Sequence, residues 1–231
     1  MLKNQKILFT LCSFFVLIEL ILGTIMHLPM GNKYVSYSII VLACLFCFLF
    51  AEKTKSYVFT QIALIFTSCA DFFLVCLDAS NQLAGMIFFL GTQTSYFLRI
   101  YFEEKRTKIK KFHLIARICT SILVLVATCL VLGNNTDAVA LITMLYFANL
   151  IINSIFAFVN FKTSPLMAIG FVFFIFCDIF VGLSSIEPYF TISEGTLLYN
   201  IINPGINMAW IFYVPSQILL ALSPMKIKKR V

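Results

Sequence analysis

The sequence predicts an all-α, polytopic integral membrane protein, on three observations. The chain is 61% hydrophobic and only 12% charged, with a mean hydropathy of +0.99, far outside the range of soluble domains. Its apolar residues gather into eight runs long enough to cross a bilayer, separated by mostly short polar connections. Its basic residues concentrate in alternate connections. The expectation is a single transmembrane domain over residues 1–231, a bundle of eight helices.

Lys3 and Lys6 precede the first run, 7–26, which is too long for a signal-peptide core and has no small-residue cleavage site, so it reads as a retained helix. A connection with Pro29, Gly31, Asn32 and Lys33 leads to the second run, 35–51, closed by Glu52, Lys53 and Lys55. The third, 57–77, carries Asp71; Asp78, Ser80 and Asn81 turn the chain into the fourth, 83–102. The strongly basic stretch EEKRTKIKK, 103–111, then separates the halves. The fifth run, 114–132, stops at Gly133-Asn134-Asn135, and the sixth and seventh span 138–159 and 166–183. An acidic connection with Glu187, Pro188 and Glu194 leads to the eighth, 206–222, and the tail MKIKKR.

With eight spans, all of the 17 Lys and Arg except Lys33, Arg99 and Arg117 fall on the side of the two termini. That asymmetry predicts both termini in the cytoplasm. Arg99 and Arg117 are expected to snorkel from helix ends toward the basic loop. The excess of Lys and Arg over the 10 Asp and Glu is thereby explained without nucleic acid as a partner. The eight Cys lie in apolar runs and read as small hydrophobes, the Cys44/Cys47 pair included.

A charge at the centre of a membrane helix costs roughly 2.5–3.5 kcal/mol on insertion scales, so Asp71 and Asp178 are site candidates in themselves. Their runs point the same way, and at about 1.5 Å rise per residue the two carboxyls reach similar depths. This parallelism suggests a 4+4 parallel internal repeat. Two carboxyl groups in one low-dielectric cavity resist being ionised together, which makes an acid–base pair.

Further inward-facing polar residues are Gln93 and Tyr96 in the fourth run, Tyr146, Asn149 and Asn153 in the sixth, and Asn207 and Gln217 in the last. Either they line one polar cavity or they are interhelical hydrogen-bonding glue, about 0.6–2 kcal/mol each. Glu19 is a third buried carboxylate with no obvious role, while His27 and His113 sit near helix ends, where no metal-ligand cluster forms. Motifs of serine hydrolases, zincins, P-loops and dinucleotide folds are absent from the sequence.

Asp71 followed by Asp78, Gly85, Phe89 and Tyr96, the Phe-Cys-Asp ending at Asp178, and FYVPSQILLALS in the last run together resemble the YhhN-type lysoplasmalogenase family over the whole eight-span layout. The resemblance implies a cofactor-free hydrolase of a bacterial cytoplasmic membrane. Its lipid substrate would be lysoplasmalogen, whose vinyl ether is cleaved to a fatty aldehyde and a glycerophospho-base. It also implies Asp71 and Asp178 as the catalytic pair, and Asp78, Tyr213 and Gln217 as matching residues. Gln93 departs from the pattern, since many members have His at that place. The alternative is a proton- or cation-coupled transporter of small molecules or lipids, which shares midplane carboxylates and repeated halves. The scarcity of Gly and Pro inside the runs weighs against it; a receptor or scaffold has no positive feature behind it. Oligomeric state is left open.

Overall fold

The computed structural model describes residues 10, 29–50, 54–77, 81–185, 196, 199 and 208–224. The run 7–26 apart from residue 10, Glu19, His27, Asp78, Asn207 and most of the acidic connection lie outside the described residues. Among the described residues all regular structure is helical: α1 Pro29–Phe50, α2 Lys55–Asp71, α3 Gln82–Glu103, α4 Thr107–Leu132, α5 Ala138–Val159, α6 Pro165–Ser184 and α7 Met208–Leu222.

Local chemistry fixes the ends. Asp137 caps α5, its Oδ1 accepting from the Ala140 amide at 2.7 Å. Pro165 opens α6 at a position whose N–H needs no helical partner. Gly133 ends α4 at φ +52°, where a side chain would be strained.

Two boundaries differ from the sequence expectation. The Pro29-Gly31-Asn32-Lys33 connection is helical backbone, the start of α1, because proline is tolerated in a first turn. Most of the basic stretch is also helix, since Lys and Ile continue α4 back to Thr107 and leave only Glu104–Arg106 between the helices.

Six helices close a ring in the order α1, α2, α3, α5, α6, α7 and back to α1, while α4 leans on α5 from outside. The interior is filled by one large cluster that includes Tyr96, Phe171, Phe174 and Leu220. The outward surface of α4 is apolar too, with Leu123 68% and Leu130 78% exposed, a surface suited to lipid. Among the described residues four segments are long and apolar enough to cross a membrane: Tyr57–Cys76, Thr107–Asn135, Ala138–Val159 and Pro165–Ser184. These are the features of a membrane protein. α3 is as long but more polar, and its Thr92, Gln93, Ser95 and Arg99 are buried inside the bundle.

The two arginines do not snorkel. Arg99 is fully buried, and its guanidinium donates to Glu103, Thr60, Ser164 and Ser223. Arg117 lies well inside α4, half-buried, and donates to Asn153 Oδ1 at 3.0 Å. Partners inside the bundle outcompete the basic loop in both cases.

Candidate active site

Asp71 is the last residue of α2, where the helix widens into a π-helical turn, Phe72–Cys76, closed by the Leu77 amide on the Phe72 carbonyl at 3.2 Å. Such wide turns are rare and are enriched at functional sites. Asp178 sits in α6, whose C-terminal half lies at the same end of the bundle. Both carboxylates line one cavity of about 810 Å³, in the half of the ring away from the Glu104–Arg106 turn.

Each carboxylate has its own phenol. The Tyr213 hydroxyl donates to Asp71, 2.8 Å from Oδ1 and 2.7 Å from Oδ2, and the Tyr146 hydroxyl donates to Asp178 Oδ2. Asp71 is 3% exposed and Asp178 half-buried, while the two tyrosines are almost fully enclosed. Phe174 links the two pairs, its ring 6.4 Å from Tyr146 and 5.6 Å from Tyr213, and Phe89 closes the cluster 5.3 Å from Tyr146. Packed rings therefore hold both Asp–Tyr units on one wall. The rest of the lining is mostly apolar, including Leu74, Met86, Val124, Val139, Phe147 and Trp210. Chemically this is a greasy slot with two acidic groups on its wall, suited to an amphiphile with an acid-labile bond.

The other sequence candidates lie elsewhere. Gln93 and Asn153 are fully buried one to two turns beyond the cavity; the Asn153 amide donates to the Gln93 carbonyl at 2.8 Å and to its Oε1 at 2.9 Å. Asn149 donates to the Leu145 carbonyl of its own helix at 2.7 Å. Tyr96 meets Phe171 edge-on at 5.2 Å, and neither its hydroxyl nor the Gln217 carboxamide has a hydrogen-bond partner among the described residues. Of the polar residues singled out in the sequence and described in the structure, Asp71, Tyr146, Asp178 and Tyr213 line the cavity. The π-helical turn and the pairing of Tyr146 with Asp178 are the additions. Tyr146 carries one signal, its spacing with Asn149 and Asn153 on a single face of α5.

A family model described as the YhhN family matches residues 32–224 of the chain. Comparison with curated proteins and with solved structures gives no match.

Proposed function

The chain belongs to the YhhN family, and from that premise we propose that it is an intramembrane hydrolase of the lysoplasmalogenase type. It cleaves the vinyl ether of a lysoplasmalogen to a fatty aldehyde and a glycerophospho-base. The observation that carries this reading is the pair of tyrosine-held carboxylates on the wall of one apolar cavity. One carboxyl protonates the β-carbon of the vinyl ether, giving an oxocarbenium ion; the other, ionised, stabilises that cation and orients water. Water adds to the cationic carbon and returns a proton to the carboxylate that gave the first one, and the hemiacetal collapses to aldehyde and alcohol, so one water is consumed per turnover and the acid is restored. Tyr146 and Tyr213 hold their carboxylates in place throughout, and the apolar wall accepts the alkenyl chain.

In this reading the chain spans a bacterial cytoplasmic membrane eight times with both termini inside. The cavity then opens in the half of the membrane away from the cytoplasm. Detergent-purified protein should release aldehyde from lysoplasmalogen and none from the saturated ether analogue. Asp71→Asn and Asp178→Asn should each abolish release while leaving folded yield unchanged. Aldehyde release by the double variant overturns the mechanism. Proton-driven uptake into liposomes without any aldehyde turns the site into a carrier's.

A further inference from the structure

The two arginines drawn into the bundle, Arg99 fully buried and Arg117 half-buried, are served very differently. Arg99 has a carboxylate, Glu103, at 3.0 Å and hydroxyl acceptors on three other segments. Arg117 has no carboxylate partner among the described residues. Its Nη1 donates to Asn153 Oδ1 at 3.0 Å, its Nη2 reaches the Gln93 carbonyl at 3.4 Å, and its guanidinium lies 4.4 Å from the centroid of the Phe97 ring. A guanidinium offers five N–H donors in a planar fork that fits phosphate oxygens, and here most of that capacity is unspent in a segment apolar enough to lie in lipid.

The surroundings are short of acceptors as well. Gln93 is fully buried and its Oε1 is taken by Asn153, while its Nε2 meets no partner among the described residues. His113, one turn from Arg117 on α4, stacks on Phe156 at 3.8 Å and lies 4.9 Å from Phe97; its Nε2 is likewise unpartnered. The Arg117 guanidinium and the His113 ring thus meet at Phe97, with the unpartnered Gln93 carboxamide nitrogen one turn before it on α3 and no ion-pair partner for Arg117 among the described residues.

The position matters as much as the chemistry. Gln93 lies one turn beyond Phe89 of the cavity wall, Asn153 two turns beyond Tyr146, and Arg117 two turns from Val124. At about 1.5 Å per residue this places the cluster roughly 6–10 Å along the bundle from the wall that carries the carboxylates. A glycerol backbone between a phosphate and an ether oxygen spans about 6 Å when extended.

We propose that Arg117, with the Gln93 carboxamide, is the phosphate subsite of an amphiphile whose apolar chain occupies the cavity, an assignment that rests on the hydrolase reading. Asn153 is a positioning residue that holds both groups, and His113 flanks them.

The test uses ligands that the hydrolase chemistry does not cleave. Trp210 lines the cavity and is the one tryptophan of the chain, so its fluorescence in the full-length protein reports occupancy. Saturated 1-alkyl lysophospholipid and 1-alkylglycerol are titrated separately, and inorganic phosphate is tested alone and as a competitor. Wild type should bind the phosphorylated amphiphile more tightly. Arg117→Gln should weaken that binding at least about tenfold, as expected for one lost charge-assisted partner, and leave alkylglycerol unchanged. Gln93→Leu should weaken it less, and Arg117→Lys should recover part. Retained alkylglycerol binding shows that the variants are folded; should Arg117→Gln not fold, Gln93→Leu carries the test. Equal affinity of wild type for the two amphiphiles, or equal loss of both in the variants, overturns the subsite. Arg117-dependent binding of free phosphate as tight as that of the lipid overturns its assignment to a headgroup. A protein that passes this test but releases no aldehyde loses the hydrolase reading alone, and one that releases aldehyde but fails it loses only the subsite.

Discussion

A phenol beside each carboxylate limits what that carboxylate can do. The Tyr213 hydroxyl spans both oxygens of Asp71, and Tyr146 engages one oxygen of Asp178, so each acid is aimed before substrate arrives. Tyr213→Phe and Tyr146→Phe remove that aim and leave the ring packing in place. Each should lower kcat about tenfold with little change in KM, the pattern of an interaction that matters mainly in the transition state. A change in KM alone would make the phenols substrate contacts instead. The turn at the other end of the bundle offers a test by pH. Glu104 accepts from Arg106 Nη2 at 2.7 Å and from its backbone amide at 2.8 Å, and the same guanidinium donates to Asn160 at 2.9 Å. These bonds hold the Glu104 carboxyl below its ordinary value of 4.5, at about 2. Because the folded value is the lower one, the stabilisation is complete above about pH 4.5 and is lost as pH falls through about 2. Thermal midpoints of wild type and Glu104→Gln should therefore differ at neutral pH and converge toward pH 2. The aspartates were legible in the sequence because a carboxylate in an apolar run is conspicuous. Tyr146 was legible only as an inward-facing polar residue, by its spacing with Asn149 and Asn153; its pairing with Asp178, 32 residues away, leaves no mark in the local pattern.

The elements were legible to the extent that hydrophobic runs and turn residues define them, and least so where polar residues turn inward. α3 carries Arg99, which reads as a helix-end residue, yet it belongs to the buried face with Thr92, Gln93 and Ser95. The π-helical turn after Asp71 leaves no mark in the pattern, because Phe72–Cys76 is as apolar as the helix before it. Its packing does show in one glycine. A Cβ on Gly85 would stand 2.5 Å from Leu74 Cγ and 2.6 Å from its Cδ2, so α3 approaches the turn only where a side chain is missing. Leu74 also lines the cavity. Gly85→Ala should push Leu74 toward the slot, destabilising the fold by about 1–3 kcal/mol as overpacking does. Binding of 1-alkylglycerol, followed through Trp210, should weaken with it. Unchanged binding and stability together would mean that Leu74 has room to turn away.

At the scale of the whole molecule the described ring is tied at one end. The other end holds the carboxylates and the cavity. At the tied end the Arg99 guanidinium gathers Thr60 of α2 at 2.7 Å, Glu103 of its own helix at 3.0 Å, Ser164 before α6 at 3.2 Å and Ser223 after α7. Tyr57 adds its ring face, 5.0 Å from the guanidinium carbon. One cation thus serves four segments far apart in sequence, which no reading of local pattern reveals. Arg99→Met fills similar space but leaves Glu103 and the hydroxyls without a donor. Removing one partner of a buried pair costs roughly 3–5 kcal/mol, and Glu103 is 25% exposed, so the expected loss lies near the lower end, about 3 kcal/mol. Lysine keeps the charge but not the fork, so Arg99→Lys should fall between wild type and Arg99→Met in thermal unfolding. Because the clamp and the carboxylates lie at opposite ends, alkylglycerol binding per folded molecule should be unchanged in both variants. A wild-type midpoint in Arg99→Met would show that helix packing alone closes the ring, and weakened binding in the folded fraction would show that the clamp shapes the cavity from the far end.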